Sequence, residues 1–543
     1  MKKAILLFIC IVFSQNLSFA QQKLSDTKKL ASLAKVYGFL KYYHPEVGKG
    51  KFNWDQQFLQ YLPKVLKATD QESLSQTYLS WINSLGEVKK CKKCTTKKEY
   101  FDKNFDLSWT QDATFFNQEL RRKFTFIENN RNQKSNYYIS TEPVGNIVLT
   151  NEPSYKSFEY PNEAYRLLGL FKYWNIIEYF YPYKYLTDQD WDSVLTEMIP
   201  KVREASNKVD YQNVLKELVT KLDDSHTWIS FDPNQENYFL PVRVTYVEGK
   251  AVISSYYNEA LAKESNLKLG DIIHKVDGKD VQTEMKNLLK YVPGSNMTFK
   301  RNRAYSKILN GTEQTIELTI EREGKTKTIP IEKIDLNGLN QTYKGCQQKS
   351  KSISETIGYV DMTCKYNPKE LKSIFDSFTS KKSVIVDLRG YPELRYKMYT
   401  RYFNAKKTPF ALKYRPDIFY PGRFIIEKGI ETGSSRDVFK GKFVLLVNQN
   451  SISLSEFTAM AFQTAENIVT VGNQTAGADG RNIIINYLGG YRTAFSGYGI
   501  MYPDGTESQR KGVKIDVEVK PTIEGLKKGL DEILQKAIQI ANE

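Results

Sequence analysis

Histidine is the rarest of the reactive residues here. Three in 543 residues leave no room for a multi-histidine metal centre, and His44, His226 and His274 must each be judged alone. Cysteine is scarce as well, with five in all. Past Cys10 only Cys91, Cys94, Cys346 and Cys364 remain. Cys91-Lys92-Lys93-Cys94 is a lone CxxC with no second pair and no nearby histidines, which excludes a zinc ribbon. It also lacks the strand–helix setting of a thioredoxin-like redox motif and reads as a local disulfide. No apolar run beyond the N-terminus approaches the ~20 residues that a membrane-spanning helix requires. Acidic residues are the minority, 62 against 78 basic, for a net charge of +16. The basic residues are dispersed, with no basic stripe and no nucleic-acid module, so nucleic acid is not an expected partner.

What is present is ordinary globular material. Hydrophobic residues make up 41% and charged residues 26%, which excludes wholesale disorder. The length suits several domains. Residues 1–20, MKKAILLFICIVFSQNLSFA, combine Lys2 and Lys3 with an apolar run from Ala4 to Phe13. Ser18 and Ala20 stand at the −3 and −1 positions of a cut before Gln21. This reads as a signal peptide of an exported protein, periplasmic or envelope-associated. An even number of cysteines in the mature chain permits disulfides.

Two stretches superpose without gaps at an offset of 137 residues. Pro45, Trp54, Asp55, Pro63, Lys64 and Val65 recur as Pro182, Trp191, Asp192, Pro200, Lys201 and Val202. Leu30, Leu33, Tyr37, Leu40 and Tyr43 become Leu167, Leu170, Trp174, Ile177 and Phe180, with the spacing of one helix face. Each copy is expected to be a three-helix unit, the first within 21–95 and the second within 161–235, joined by a connecting segment at 96–160. Their ends differ. The second copy closes with Asp223-Asp224-Ser225-His226-Thr227, rich in ionisable and nucleophilic groups. The first has Gly86-Glu87-Val88-Lys89 there. Taken alone, His226 could equally be a structural residue at a helix C-terminus, where the dipole favours it. His44 aligns with Tyr181 and reads as packing.

From 236 to 335 short alternating runs replace the helical pattern. Leu267-Lys268-Leu269-Gly270-Asp271-Ile272-Ile273-His274-Lys275-Val276-Asp277-Gly278 resembles the core of a PDZ domain, with a helix near 283–291 and strands near 314–322 and 325–331. That resemblance implies docking of peptide chain ends by strand addition, with Leu240, Pro241 and Val242 in the carboxylate-cradling stretch. His274 falls within a strand and reads as a surface residue. From 340 to 543 strands and helices alternate in an α/β arrangement, with strands at 357–362, 384–388 and 443–448, helices at 368–378 and 454–463, and a terminal helix at 524–541.

One junction in this block carries chemistry. The strand Phe443–Asn448 runs through Gln449-Asn450-Ser451-Ile452 to Ser453, and a helix then begins. A serine there has an exposed hydroxyl and free N–H groups behind it that can hold an oxyanion. Ser453 with Glu456 three residues on is equally a capping-box signature. Ser453-Leu454-Ser455-Glu456 resembles the SxxE nucleophile motif of the S41 serine peptidases. Val384-Ile385-Val386-Asp387-Leu388-Arg389-Gly390 is similar to that family's DLRG strand, and Asp223–Thr227 to its D-x-H-T turn, all in family order over residues 165–540. The lysine of the tail-specific branch is missing: in Gly472-Asn473-Gln474-Thr475-Ala476-Gly477-Ala478 its place is taken by Ala478. Ser225-His226 instead matches the histidine-based, tricorn-like branch.

The resemblance implies a multidomain α/β protein with N-terminal helical repeats, a PDZ-like β domain and a crotonase/ClpP-like catalytic core. Ser453 would be the nucleophile and His226 the base. Gly390 and Leu454 would supply oxyanion N–H groups. Ser225 would orient His226 through a carboxylate, for which Glu507 is the candidate and Gln509 the competing position. Asp387 reads as structural. Protein or peptide substrates are expected, and no cofactor or metal. The competing reading is a catalytically inactive peptide-binding envelope protein on a peptidase fold.

Overall fold

The computed structural model describes residues 24–92, 94, 98–232, 235–342, 346, 348–393 and 395–543. The signal peptide read at 1–20 lies outside the described residues. The helical half opens with α1 (Asp26–Tyr43), α2 (Trp54–Lys67) and α3 (Gln71–Ser84). It continues, after the segment 98–155, with α4 (Glu163–Phe180), α5 (Trp191–Glu204) and α6 (Lys208–Thr220). Each helix starts behind a Ser, Asn or Asp whose side chain accepts an otherwise unbonded N–H of the first turn. The spacing suggests one apolar face on α1 and α4. Both are in fact buried almost all round and form the centre of this half.

Residues related by the offset of 137 make corresponding contacts. Trp54 Nε1 donates to Tyr37 O, and Trp191 Nε1 to Trp174 O. Lys35 pairs with Asp192 at 2.6 Å and Lys172 with Asp55 at 3.1 Å. Tyr42 and Tyr179 meet edge to face, with centroids 5.4 Å apart. Asn175 Nδ2 donates to both Ala34 O and Phe171 O. Its counterpart Gly38 is where α1 and α4 come closest: a Cβ there would sit 1.7 Å from Asn175 Oδ1.

The helical half leads into β1 (Trp228–Ser230). Next come β2 (Val242–Val247), β3 (Lys250–Tyr256) and β4 (Ile272–Val276), then α7 (Met297–Leu309), β5 (Thr315–Arg322) and β6 (Lys325–Glu332). These strands form an antiparallel sheet in the order β6-β5-β4-β3-β2, with Lys279–Asp280 added to β4. The helix expected near 283–291 is Val281–Leu288 followed by a 3-10 turn. Helix α7 has no counterpart in the sequence reading. It is cationic, and only Ala304, Tyr305 and Leu309 are buried. It covers the sheet edge: Asn302 Oδ1 accepts from Tyr246 N, and Asn310 Oδ1 from Leu240 N.

The C-terminal half contains β7 (Ile357–Asp361), β8 (Ser383–Asp387), β9 (Pro409–Pro416), β10 (Phe424–Glu431) and β11 (Lys442–Val447). It continues through α8 (Leu454–Phe462), β12 (Ile468–Gly472), β13 (Asn482–Asn486), β14 (Arg492–Ser496) and β15 (Gly499–Met501) to α9 (Glu532–Asn542). Strands β7, β8, β11 and β12 are parallel neighbours in a six-stranded sheet. Both faces are covered, so the strands read as continuous apolar runs. Val384, Val386, Leu445 and Val447 pack with α8 residues, while Ile385, Val444 and Leu446 pack with Ile533, Ala537 and Ile540 of α9. The single terminal helix expected at 524–541 is two helices, Ile523–Lys527 and α9, broken where Gly529 adopts a φ of +66°.

Two small sheets tie the halves together. β1 is the edge strand of a sheet in the order β13-β14-β1, with Ile229 opposite Thr493. Strands β10, β9 and β15 form another, extended by Tyr100–Phe101. Disulfides link Cys91 to Cys94 and Cys346 to Cys364.

Candidate active site

The strand β11 ends at Val447, and the chain climbs through a tight turn to Ser453, immediately before α8. Ser451 Oγ donates to Leu388 O at 2.8 Å, and Ser455 Oγ to Gly390 O at 2.7 Å. These bonds clamp the start of α8 to the loop after β8. Gly390 and Leu454, the expected oxyanion donors, are thereby brought side by side. Leu454 is the first residue of its helix, where an N–H has no acceptor within the helix. Ser453 itself has φ +58° and ψ −119°, a strained conformation for a side-chain-bearing residue. Its N–H is held by Ala478 O at 2.9 Å and by Glu456 Oε2 at 3.3 Å.

Glu456 does more than cap α8. Its carboxylate is fully buried and accepts from Thr475 Oγ1, Gly477 N, Ala478 N and Ser453 N. Burial nevertheless pushes it up to about 7, against the pull of those four donors. Asp479 is a second buried carboxyl beside it. Gly480 N donates to its Oδ1, and burial together with the Glu456 charge pushes it well above the ordinary range.

His226 lies across the seam on the turn after α6, which begins with Asp223 at φ +47°. Its Nδ1 is 2.8 Å from Ser496 Oγ and 3.9 Å from Asp224 Oδ1. Asp224 is wholly buried and organises the turn: Oδ1 accepts the N–H of His226, and Oδ2 accepts the N–H of Ser496. Burial, and to a lesser degree Arg303, hold the imidazole below its ordinary value, with Asp224 pulling the other way. That displacement favours the neutral ring, the form a base must have.

One irregular stretch, 475–480, meets both groups. Ser225 Oγ donates to Ala476 O at 2.8 Å, while Ala478 O receives Ser453 N and Gly480 O lies 3.5 Å from Ser453 Oγ. Two residues past Gly480, Asn482 pairs with Ser496, the partner of His226. No hydrogen bond joins His226 to Ser453 among the described residues.

Several expected roles are placed differently. Ser225 binds the Ala476 carbonyl and receives Ser295 N rather than contacting a carboxylate. Glu507 lies away from the turn and accepts from Tyr185 Oη. Gln509, the competing position, is the one near the turn, with Nε2 3.5 Å from both Asp224 Oδ1 and Ser295 Oγ. The carboxylate beside His226 is Asp224. Leu240, Pro241 and Val242 do not form an open cradle: Leu240 N is taken by Asn310, Pro241 has no N–H, and its carbonyl receives Tyr257 N and Asn258 N. Val242 pairs with Tyr256 in the sheet. Ser496 and Asp479 had no sequence signal, because strand register and loop packing bring them in. Ala478, at the tail-specific lysine position, is fully buried.

The family model of Peptidase family S41 matches residues 393–519, which include Ser453 and the 475–480 stretch. This part of the chain is similar to the S41 peptidases. Among S41-related proteins, the carboxy-terminal processing protease CtpA of Bacillus subtilis (strain 168) is 24% identical over 327 residues, 56% of this chain. The match spans 63% of that relative's length. Mature CPAF has a TM-score of 0.56 at 14% identity, covering 69% of this chain and 97% of its own. A CPAF point mutant scores 0.57, also at 14%, over 70% of this chain and 98% of its own. At that identity the CPAF likeness is one of fold.

Proposed function

We propose that this chain is an exported serine peptidase with Ser453 as nucleophile and His226 as base. The observation that carries this reading is the pairing of a neutral, Asp224-anchored imidazole with a strained serine at a helix N-terminus, both hung on 475–480. With Nδ1 engaged by Ser496, His226 Nε2 is the nitrogen left to take the Ser453 proton. For attack, Ser453 Oγ leaves Gly480 O and turns toward the imidazole; such contacts commonly tighten only when substrate binds. The oxygen of the peptide carbonyl becomes an oxyanion beside the N–H groups of Gly390 and Leu454. The acyl-enzyme forms as the imidazolium returns its proton to the leaving amine, and water then releases it. Asp224 stabilises the imidazolium directly and through Ser496.

One observation favours a second reading, a peptide-binding envelope protein without turnover: the Ser453 hydroxyl rests on Gly480 O rather than on His226. A fluorophosphonate probe decides between them. Labelling that disappears in Ser453→Ala and falls steeply in His226→Ala is expected of the peptidase. Absence of labelling in the intact protein would overturn it.

A further inference from the structure

The two helical copies match in spacing, yet the place beside α1 and the start of α2 is filled, while its counterpart beside α4 and α5 is open. In the first copy residues 137–155 lie against it. Tyr137 N donates to Gly48 O at 2.8 Å, and a Cβ on Gly50 would sit 2.4 Å from the Tyr137 ring. Glu152 pairs with Lys41 and, at 2.6 Å, with Lys172, while Tyr155 Oη donates to Asp55 Oδ2 at 2.9 Å. The Lys41 ammonium is 4.7 Å from the centre of the Tyr138 ring. A piece of chain thus brings a carboxylate to two lysines and closes the site, leaving the Asp55 side chain 3% exposed.

The offset of 137 carries Tyr37, Lys41, Trp54 and Asp55 onto Trp174, Glu178, Trp191 and Asp192. These four line a cavity of about 380 Å³, at the small end of ligand pockets and enough for a side chain with adjoining backbone. The Asp192 side chain is 48% exposed. Tyr185 and Thr187, also on the lining, stand where Gly48 and Gly50 receive Tyr137. Trp109 forms one wall, with the Lys35 ammonium 5.9 Å from its ring, as that of Lys172 lies 5.9 Å from the ring of Tyr155.

The sign of the site is reversed. Where Lys41 receives Glu152, the second copy has Glu178. Asp106, Asp190 and Asp192 add carboxylates that outnumber Lys103 and Lys184 on the lining. Lys184 pairs with Glu178 at 2.7 Å and Lys35 with Asp192 at 2.6 Å, while Lys103 lies 5.1 Å from the Tyr185 ring. Burial still raises Glu178 above the ordinary carboxylate range, against the pull of Lys184, and Asp192 pushes it the same way. Carboxylates set among tryptophans are surroundings that favour a cation taken out of water.

We propose that this cavity takes a lysine or arginine side chain from a basic segment of a second polypeptide, laid across the second copy as residues 137–155 lie across the first. The charge of the occupant follows from Glu178 standing in the place of Lys41. Its polypeptide nature follows from the segment that fills the first copy. Neither Ser453 nor His226 lines the cavity, so the inference stands apart from the peptidase reading.

Tryptophan emission reads the site directly, since three of the six tryptophans line it. The Ser453→Ala protein, which excludes turnover, is titrated with short peptides of valine and threonine, capped at both ends and carrying arginine, lysine or the neutral isostere citrulline at the centre. The arginine and lysine peptides are expected to shift the emission saturably, with citrulline about tenfold weaker or more. Asp106→Asn/Asp190→Asn removes two charges and keeps both turns, because asparagine accepts the same N–H groups that the aspartates take from Ser108 and Ser193. It should weaken the arginine peptide about threefold to tenfold and leave the citrulline peptide unchanged. Added salt should act in the same direction. Citrulline bound as tightly as arginine, an arginine peptide indifferent to the double variant, or no saturable change with any peptide overturns the proposal. N-acetylarginine amide bound as tightly as the arginine peptide overturns the polypeptide occupant.

Discussion

Replacing Glu456 with glutamine tests the electrostatics of the nucleophile loop. The Glu456 carboxyl is displaced upward by burial, from an ordinary 4.5 to about 7. Below about pH 4.5 it holds its proton in both folded and opened chains and has no effect on stability. Between about 4.5 and 7 the opened chain ionises while the folded loop keeps the proton, so folding takes up a proton and stability falls as pH rises. Above about 7 both forms are ionised and the loss is complete. Each tenfold change in proton affinity is worth about 1.4 kcal/mol, so the whole displacement amounts to about 3 kcal/mol. Hydrogen exchange of the Gly477 and Ala478 amides, both bonded to this carboxylate, reads the effect locally. After correction for intrinsic exchange, protection in the native protein should fall about a hundredfold between pH 5 and 8. Glu456→Gln should show lower protection throughout, because its amide NH₂ faces backbone N–H groups, but no such fall. Parallel pH profiles in the two proteins would refute the assignment.

Asp224→Asn should reduce kcat by about 10²–10⁴, as loss of an orienting carboxylate does for a catalytic imidazole, and the effect should appear in kcat rather than KM. Glu507→Gln should leave peptide hydrolysis within about twofold of the native rate, because its partner is Tyr185 and not the catalytic turn; a steep loss would return the relay to Glu507. Gly38→Ala should destabilise the helical half by about 1–3 kcal/mol in thermal unfolding, because its Cβ would collide with Asn175 Oδ1. Adding Asn175→Ala should recover part of that loss, and strict additivity of the two would show that the helices do not meet there.

Much of the fold was legible because apolar pattern and burial agree. Val384–Leu388 and Phe443–Asn448 are continuous apolar runs, and they become central strands covered on both faces. Ser453 could be marked because its strand-to-helix junction resembles the SxxE motif; the local signature alone reads as a helix cap. The helical copies were visible as matched spacings, and equivalent residues do touch, though the all-round burial of α1 and α4 hid any single face. What was not legible depends on tertiary register. Ser496 meets His226 only because β14 pairs with β1 at Thr493 and Ile229. Asp224 was in plain sight two residues before His226, yet an aspartate in such a turn is ordinarily a backbone cap, and nothing local says that it also serves the imidazole. Glu507 was taken from the family pattern, and it is Gln509, the position that spacing offered in its place, that lies near the turn. Helix α7 went unread because three buried positions on a cationic segment leave little periodic signal.

The stretch 475–480 holds the serine by the carbonyls of Ala478 and Gly480 and the histidine turn by that of Ala476. Main-chain groups carry that grip, reinforced by the Thr475 hydroxyl on Glu456, and the path depends on Gly477 and Gly480, where φ is +66° and +89° and a Cβ would press on the backbone of Arg510 and Tyr498. A larger residue at either glycine would therefore displace the ledge on which the two halves meet.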